Sequence, residues 1–574
     1  MKLKAISIKL ENYKWLSPKY WTNLYQVTNF KEKILLCFLV LLFVSSLSYW
    51  GISFYYSRTE ALPAFGGEYI EGSVGQPQHI NPLLSASNDA DADLAQIIYN
   101  GLLKYDEKGT PIPDLAESYE INEEKTVYTF YLRKNVLWHD GEPFTANDAL
   151  FTFNLISDPA YRSPLRSGWQ GVKLEMPDDY TLIFTTETPF VGFLNNATFG
   201  ILPKHIWESL KPESFNLSEL NLEPIGTGPF KYNSFQKDSK GNILSYKLDA
   251  NPNYFSGKPY LAKLSFNFYS DETSALDAYN RKEVMGISSL STKNTGVIKN
   301  QSSSALHKFF IPRYFAVFFN QTKNAAVADD KVREALNYAT NREEIVQTVL
   351  GGNGDPIYSP ILPDMPGYSP DLSKVDYALE KARTLLDSDG WKISDNGFRV
   401  KNDKLLEINL ITTDWDELAK TAEIIKTQWE KAGVKVNTDS LSISDIQQNY
   451  IRPREYEALL FGQIVGADPD PYSFWHSTQK KDPGLNLALF GDSDTDKLIE
   501  DGRIEFDRQK RAEIYTEFQN VLLEEMPAIF LYSPKYIYPV NKKIKEINVE
   551  NLITPSKRFF NIDKWFINTK RVWK

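Results

Sequence analysis

Residues that could do chemistry crowd into one short stretch, GADPDPYSFWHS from Gly466 to Ser477, with two aspartates, three aromatic residues and one of the chain's five histidines. Asp468 and Asp470 lie two positions apart, so on extended backbone they face the same side. As a catalytic pair they would repel one another and raise one pKa; as solvated loop charges they need no special explanation. Pro469 and Pro471 stiffen the loop and reduce the entropy lost when something binds. Tyr472, Phe474 and Trp475 suit the wall of an apolar pocket, and equally a core beneath a loop.

A hydrolase needs a nucleophile with its base, a metal site, or two carboxylates at a fixed distance. His79, His139, His205, His307 and His476 are scattered, and the sequence holds no HExxH, GxSxG or GxxxxGKS/T. The zinc-peptidase, serine-esterase and nucleotide-phosphate readings therefore lack their local signal. His139 and Asp140 in WHDG supply too few ligands for a metal. Asp140-Gly141 reads better as a turn between strands, with the histidine capping or packing there. Cys37 is the single cysteine, which excludes an intramolecular disulfide framework and a thiolate metal cage. The sequence points to no catalytic residue, no metal and no cofactor. The competing readings are a surface hydrolase using Asp468 and Asp470, or a metal at His139 and His476, and, separately, a surface receptor that presents its ligand to a signalling partner.

The elements that must position this stretch follow from periodicity. YEALLFGQIVG is an apolar strand, so the acidic loop hangs from a strand's C-terminal end, where open α/β sheets place binding loops. Upstream, DWDELAKTAEIIKTQWEKAG has helical spacing and VKVNTDSL reads as a strand. DDKVREALNYATNREEIVQTVLGG reads as two helices, with an Asn341 and Glu344 capping arrangement and a Gly351-Gly352 stop. EYIEGSVG reads as a strand ending in glycine. After it, the polar loop SASN (Ser85, Ala86, Ser87, Asn88) opens an apolar helix, with Asp89 and Asp91 as capping acids or ligand contacts. The stretch from Thr126 to Ile156 and the segment YTLIFTTETP alternate in the manner of strands. IGTGPFKY, from Ile225 to Tyr232, has the punctuation of a crossover between lobes.

At 574 residues, 42% apolar and 14% aromatic, the chain buries large cores in more than one folded unit. A net charge of −10 argues against nucleic acid as the main partner. From Ile34 to Tyr56 no residue is charged, and such a run forms a helix long enough to cross a bilayer. Seven lysines against two glutamates give the first 33 residues a net +5 and leave −15 on the rest. The basic end therefore stays in the cytoplasm. A cleaved signal peptide with Ser46 to Ser48 as its site, or a lipid on Cys37, are the rivals to an uncleaved anchor.

From about Gly67 onward the chain resembles the extracellular solute-binding proteins of peptide, nickel and related ABC importers, bacterial solute-binding protein family 5. The resemblance is carried by YTFYLRKNVLWHDGEPFTANDALFTFNLI, IGTGPFKY, ANPNYFSGKPYLAKLSF, VREALNYATNREEIV, DGW (Asp389 to Trp391) and YEALLFGQIVGADPDPYSFWHS, in the family's order. It implies an α/β type 2 periplasmic-binding-protein fold, two lobes joined by a hinge plus an extra domain, behind one N-terminal transmembrane helix. The implied division is 1–33 cytoplasmic, 34–56 anchor, 57–66 linker, 67–105 lobe I, 106–221 extra domain, 222–310 lobe I, 311–531 lobe II and 532–574 lobe I. A peptide or other small solute, such as a sugar or metal chelate, would lie between the lobes of a monomer. It would pass to a permease driven by separate ATPases, with the bulk of the chain outside the cytoplasmic membrane. In peptide-binding relatives an acid three positions before the acidic-Pro pair meets the peptide's amino terminus. Here Ala467 stands at that position, with Asp468 one residue closer and Asp470 in the pair. The ligand-facing candidates are Ala467, Asp468, Asp470, Tyr472 and Trp475, then Ser85 to Asn88, then Tyr314.

Overall fold

The computed structural model describes residues 27–574 apart from 300, 301, 364, 371 and 373; most of the basic segment 1–33 lies outside the described residues. The chain divides into two units, residues 1–64 with 568–574, and residues 65–567.

The smaller unit is built on helix α1 (Phe30–Arg58), 29 residues with none buried. Asn29 opens it with a capping box: its side chain accepts from the Glu32 amide (3.0 Å) and the Glu32 carboxylate accepts from the Asn29 amide (2.8 Å). The uncharged run Ile34 to Tyr56 covers about 35 Å at ~1.5 Å per residue, enough for the ~30 Å hydrocarbon layer. Residues 57–66, expected as a linker, are instead the last turn of α1 and strand β1 (Thr59–Ala64). β1 pairs antiparallel with the C-terminal strand Asn568–Trp573, a partner some 500 residues away that local periodicity cannot reveal. Arg571 closes the helix end, donating to Thr59 O (2.7 Å) and Tyr56 O (3.2 Å) and lying over the Tyr56 ring at 4.3 Å. A cation on the final carbonyls suits the negative end of the helix dipole.

The larger unit contains two main sheets. In the first, the strand order is Ser304–Phe309, Tyr536–Asn541, Gly286–Ile287, β2 (Glu68–Val74), Lys263–Tyr269, Ile243–Ala250 and Phe230–Lys237. Helix α2 (Asp89–Ile98) follows β2. The second sheet runs Gly354–Pro356, Ala528–Pro534, β3 (Arg313–Phe319), β4 (Ala458–Ile464), Glu407–Thr413 and Lys435–Leu441. Its last two strands are parallel, joined through α3 (Asp416–Lys431), because a parallel pair needs a crossover of helical length. A four-stranded sheet between residues 116 and 185 forms the extra domain.

The chain passes between the two main sheets twice, at Phe310 to Pro312 and at Lys535, between Ala528–Pro534 and Tyr536–Asn541. These two short passages are the hinge. Ser533 Oγ ties them together by donating to Arg313 O (2.8 Å). IGTGPFKY, expected as a lobe crossover, instead returns the chain from the extra domain into the first sheet at Phe230. Its glycines serve close packing: a Cβ on Gly226 would stand 1.9 Å from Ile98 O, and one on Gly228 2.3 Å from Ile97 O.

The pleat of β3 sorts the second lobe's core into two layers. Phe315, Val317 and Phe319 of β3 enter one hydrophobic layer with Leu336, Ile425 and Trp429, whereas Tyr314, Ala316 and Phe318 enter the other with Trp475, Phe518 and Leu522.

Candidate ligand-binding site

The acidic loop leaves the end of β4 through Gly466, whose φ of +83° is in the left-handed region that glycine enters without a Cβ clash. Its carboxylates do not stand free. Two helices follow, α4 (Ser493–Ile504) and α5 (Arg508–Glu525), and each presents an arginine to the loop. Arg511 on α5 holds Asp468 through two parallel bonds, Nη1 to Oδ2 at 2.8 Å and Nη2 to Oδ1 at 2.5 Å. Its Nε donates to Gly502 O (2.8 Å), so the guanidinium is fully committed. Arg503 on α4 lies 2.9 Å from Asp470, and the other Asp470 oxygen accepts from the Tyr472 amide at 3.0 Å. Burial raises the Asp470 pKa, with Arg503 opposing. Arg503 is stacked between Tyr472 at 4.3 Å and Phe190 of the extra domain at 5.0 Å. Asp468 is thus braced within the second lobe by Arg511, and its charge also acts on Tyr105 of the first lobe.

Tyr314 and Trp475, expected at the ligand, are enclosed instead, 0% and 1% exposed. The reason is the phase of β3: even-numbered positions point beneath the loop, where Tyr314 donates to Gln463 and meets Phe530 edge-on. The crevice beside them has a volume of about 10 Å³, at most one water. His476 is structural: Nδ1 meets Thr478 Oγ1 (2.8 Å), Nε2 meets Glu500 (3.2 Å), and its ring stacks on Tyr472 at 4.3 Å. His139 is likewise a brace, between Gly226 and Gly228, so the two histidines weighed for a metal have separate partners.

The large cavity lies elsewhere. It has a volume of about 430 Å³ and is lined by Ser85 and Ala86, one face of α2, the extra domain at Trp169 and Asn195, the C-terminal segment at Lys557, and Ile464 at the end of β4. The first lobe and the extra domain supply nearly all of its wall, and Ile464 is the one lining residue from the second lobe. Of the expected loop, Ser85 and Ala86 reach it; Asn88 caps α2, its Oδ1 accepting from the Ala90 amide (2.9 Å) and its Nδ2 donating to Gln76 O (2.9 Å), and Ser87 bonds Leu84 O. Ala467, Asp468, Asp470, Tyr472, Trp475 and Tyr314 do not line it.

Of the ionisable groups in this wall, Lys104, Asp114 and Lys557 were not singled out from sequence. Lys104 pairs with buried Asp114 (3.2 Å), which also accepts from Asn100 (2.7 Å); burial raises the Asp114 pKa and Lys104 opposes it. Lys557 donates to Gln96 Oε1 at 2.5 Å, and burial lowers its pKa to about 8. Its neighbour Arg558 is wholly buried and holds both Asp93 oxygens (2.7 and 2.5 Å) and Glu71 (3.0 Å). This cluster fixes α2, β2 and the C-terminal segment to one another. Asp91 is spent on the amides of Gln78 (2.7 Å) and His79 (2.9 Å), and burial raises its pKa to about 6. Asp89 makes no ion pair among the described residues. The spacing of Asp89, Ala92 and Gln96 on one helical face was a readable signal; nothing local marks Lys557.

Comparison with known proteins gives a consistent answer. Residues 110–485 match the sequence profile of the bacterial extracellular solute-binding proteins, family 5. The oligopeptide-binding protein AppA of Bacillus subtilis is 30% identical over 520 residues, 89% of this chain and 93% of AppA. The dipeptide-binding protein of Escherichia coli is 28% identical over 84% of this chain and 92% of its own length. Among solved structures, NikZ from Campylobacter jejuni in complex with Ni(L-His) superimposes with a TM-score of 0.73 at 26% identity, covering 87% of this chain and 99% of NikZ.

Proposed function

Because this chain belongs to bacterial extracellular solute-binding protein family 5, we propose that it is the membrane-tethered receptor of an ABC importer and that it takes peptides into the cleft between its lobes. The observation that carries this reading is the 430 Å³ cavity walled by the first lobe and the extra domain and reached by Ile464 of the second lobe, a size typical of small-ligand sites. Likeness to peptide-binding relatives over most of both chains favours peptides. The Ni(L-His) complex of NikZ keeps a metal chelate as the contrasting ligand to test. The protein does no chemistry on its cargo: binding energy draws the lobes together about the two hinge passages, and the closed form is what a permease, powered by its ATPases, recognises. Helix α1 keeps this cycle at the outer face of the cytoplasmic membrane, and a single copy suffices for it.

Calorimetric titration of the full chain in lipid nanodiscs against peptides of two to six residues, a sugar panel and nickel-histidine tests the reading. Saturable binding of peptides that are recovered uncut is the expected result. Response to the sugar or chelate alone would replace the peptide assignment.

A further inference from the structure

The cleft has a polarity along α2. Asp89, Ala92 and Gln96 line it from one helical face, and the seven steps from Asp89 to Gln96 rise two turns, about 10 Å. At the far end the Lys557 ammonium is fixed on Gln96 Oε1 (2.5 Å), with no carboxylate within ion-pair distance among the described residues. At the near end Asp89 is exposed beside Ser85 and Ala86. Between them Ala92 offers only a methyl group, which leaves the middle of the slot open. The other charges are accounted for. Lys104 and Asp114 neutralise one another at 3.2 Å. Asp563, whose carboxyl pKa burial raises, feels Lys104 and Lys564. Arg313 stacks over Phe315 and Trp415, and the charges of Glu417 and Asp89 act on it from beyond ion-pair distance. The acidic loop contributes nothing free, since Asp468 and Asp470 are held by Arg511 and Arg503.

We propose that the cleft is a slot for a short zwitterion lying along α2, its ammonium at Asp89 and its carboxylate at Lys557. Resting on the peptide reading above, this means a peptide of about three residues, since extended chain advances ~3.5 Å per residue against the ~10 Å that α2 rises from Asp89 to Gln96, the residue that holds Lys557. Asp89 then replaces, from the opposite lobe, the acid that is absent at Ala467. A ligand carboxylate gives the Lys557 ammonium the counter-charge it lacks; desolvated charge-assisted bonds of this kind are the strong ones.

The test uses the full chain in nanodiscs and titrates trialanine, N-acetyl-trialanine and trialaninamide, with dialanine and hexaalanine for length. Trialanine is expected to bind tightest, and blocking either end to weaken it at least tenfold. In Asp89→Asn the acetyl group no longer matters; in Lys557→Gln the amide no longer matters. The blocked ligands carry the test on the native chain even if a variant folds poorly. Equal affinity for free and blocked trialanine, or variants that keep both discriminations, overturns the slot while leaving peptide binding intact. Failure of every peptide to bind defeats the peptide reading and the slot together.

Discussion

His139 has both ring nitrogens occupied: Nδ1 accepts from the Gly226 amide (3.2 Å) and Nε2 donates to Gly228 O (3.0 Å). Only the neutral tautomer satisfies both, and burial lowers its pKa to about 4, against about 6.5 in the unfolded chain. As pH falls through that interval the unfolded state takes up a proton that the folded state refuses. The stabilisation is therefore complete above pH ~6.5 and drains away toward pH ~4, by up to about 3 kcal/mol. Thermal unfolding of the native chain and of His139→Asn from pH 7 to pH 4 checks this. The native curve should fall more steeply over that range, and parallel curves would show that the imidazole is not held neutral. The Asp140-Gly141 turn was legible because glycine marks a turn locally, but it is closed only by the isolated bridge Leu137 to Pro143 and leads into a helix, Ala146–Ser157, where the sequence reads as a strand. The acidic loop was only half legible: its charges could be counted, but the arginines that claim them, Arg503 and Arg511, sit on helices more than thirty residues later.

At the scale of elements, α2 is the rigid wall of the cleft, and several independent contacts hold it there. Asn88 caps it, Asp91 pins the chain before it, and Asp93 ties it to Arg558. The IGTGP segment lies flat against its C-terminal carbonyls, Gly228 N donating to Ile98 O at 2.8 Å. Gly226→Ala puts a methyl 1.9 Å from Ile98 O, a backbone atom that cannot swing aside, so a loss of about 3 kcal/mol is expected. Peptide affinity should weaken too, because the wall must shift. Gly296→Ala, with nothing within 4 Å, is the control; equal melting temperatures for the two variants would show that this approach is not tight. Most strands and helices were readable, since periods of 2 and 3.6 mark which face is buried. β1 and the role of IGTGP were not. One depends on a partner at the other end of the chain, and the other owes its glycines to a helix packed on it rather than to a change of lobe.

Over the whole molecule, two lobes and an extra domain were legible through ordered motifs of the family, whereas strand order was not, because one sheet gathers strands from residue 68 to residue 541. Lys557 was hidden for the same reason: it reaches the cleft only through that long return. The fate of α1 is the question that belongs at this scale. Cleavage after Ser48 would leave Tyr49 to Arg58 on a soluble protein, with Trp50 69% and Tyr56 58% exposed in the smaller unit, an apolar patch that water-soluble chains rarely display at an end. Retention instead places those aromatic rings at the outer interface, where they are favoured. It also keeps the net +5 of the first 33 residues on the cytoplasmic side. Fractionation of cells expressing the full chain should therefore recover it in carbonate-washed membranes, and terminal peptide sequencing should find residues from the basic segment 1–33. A soluble form beginning at Tyr49 would show that α1 is a leader and not a membrane tether.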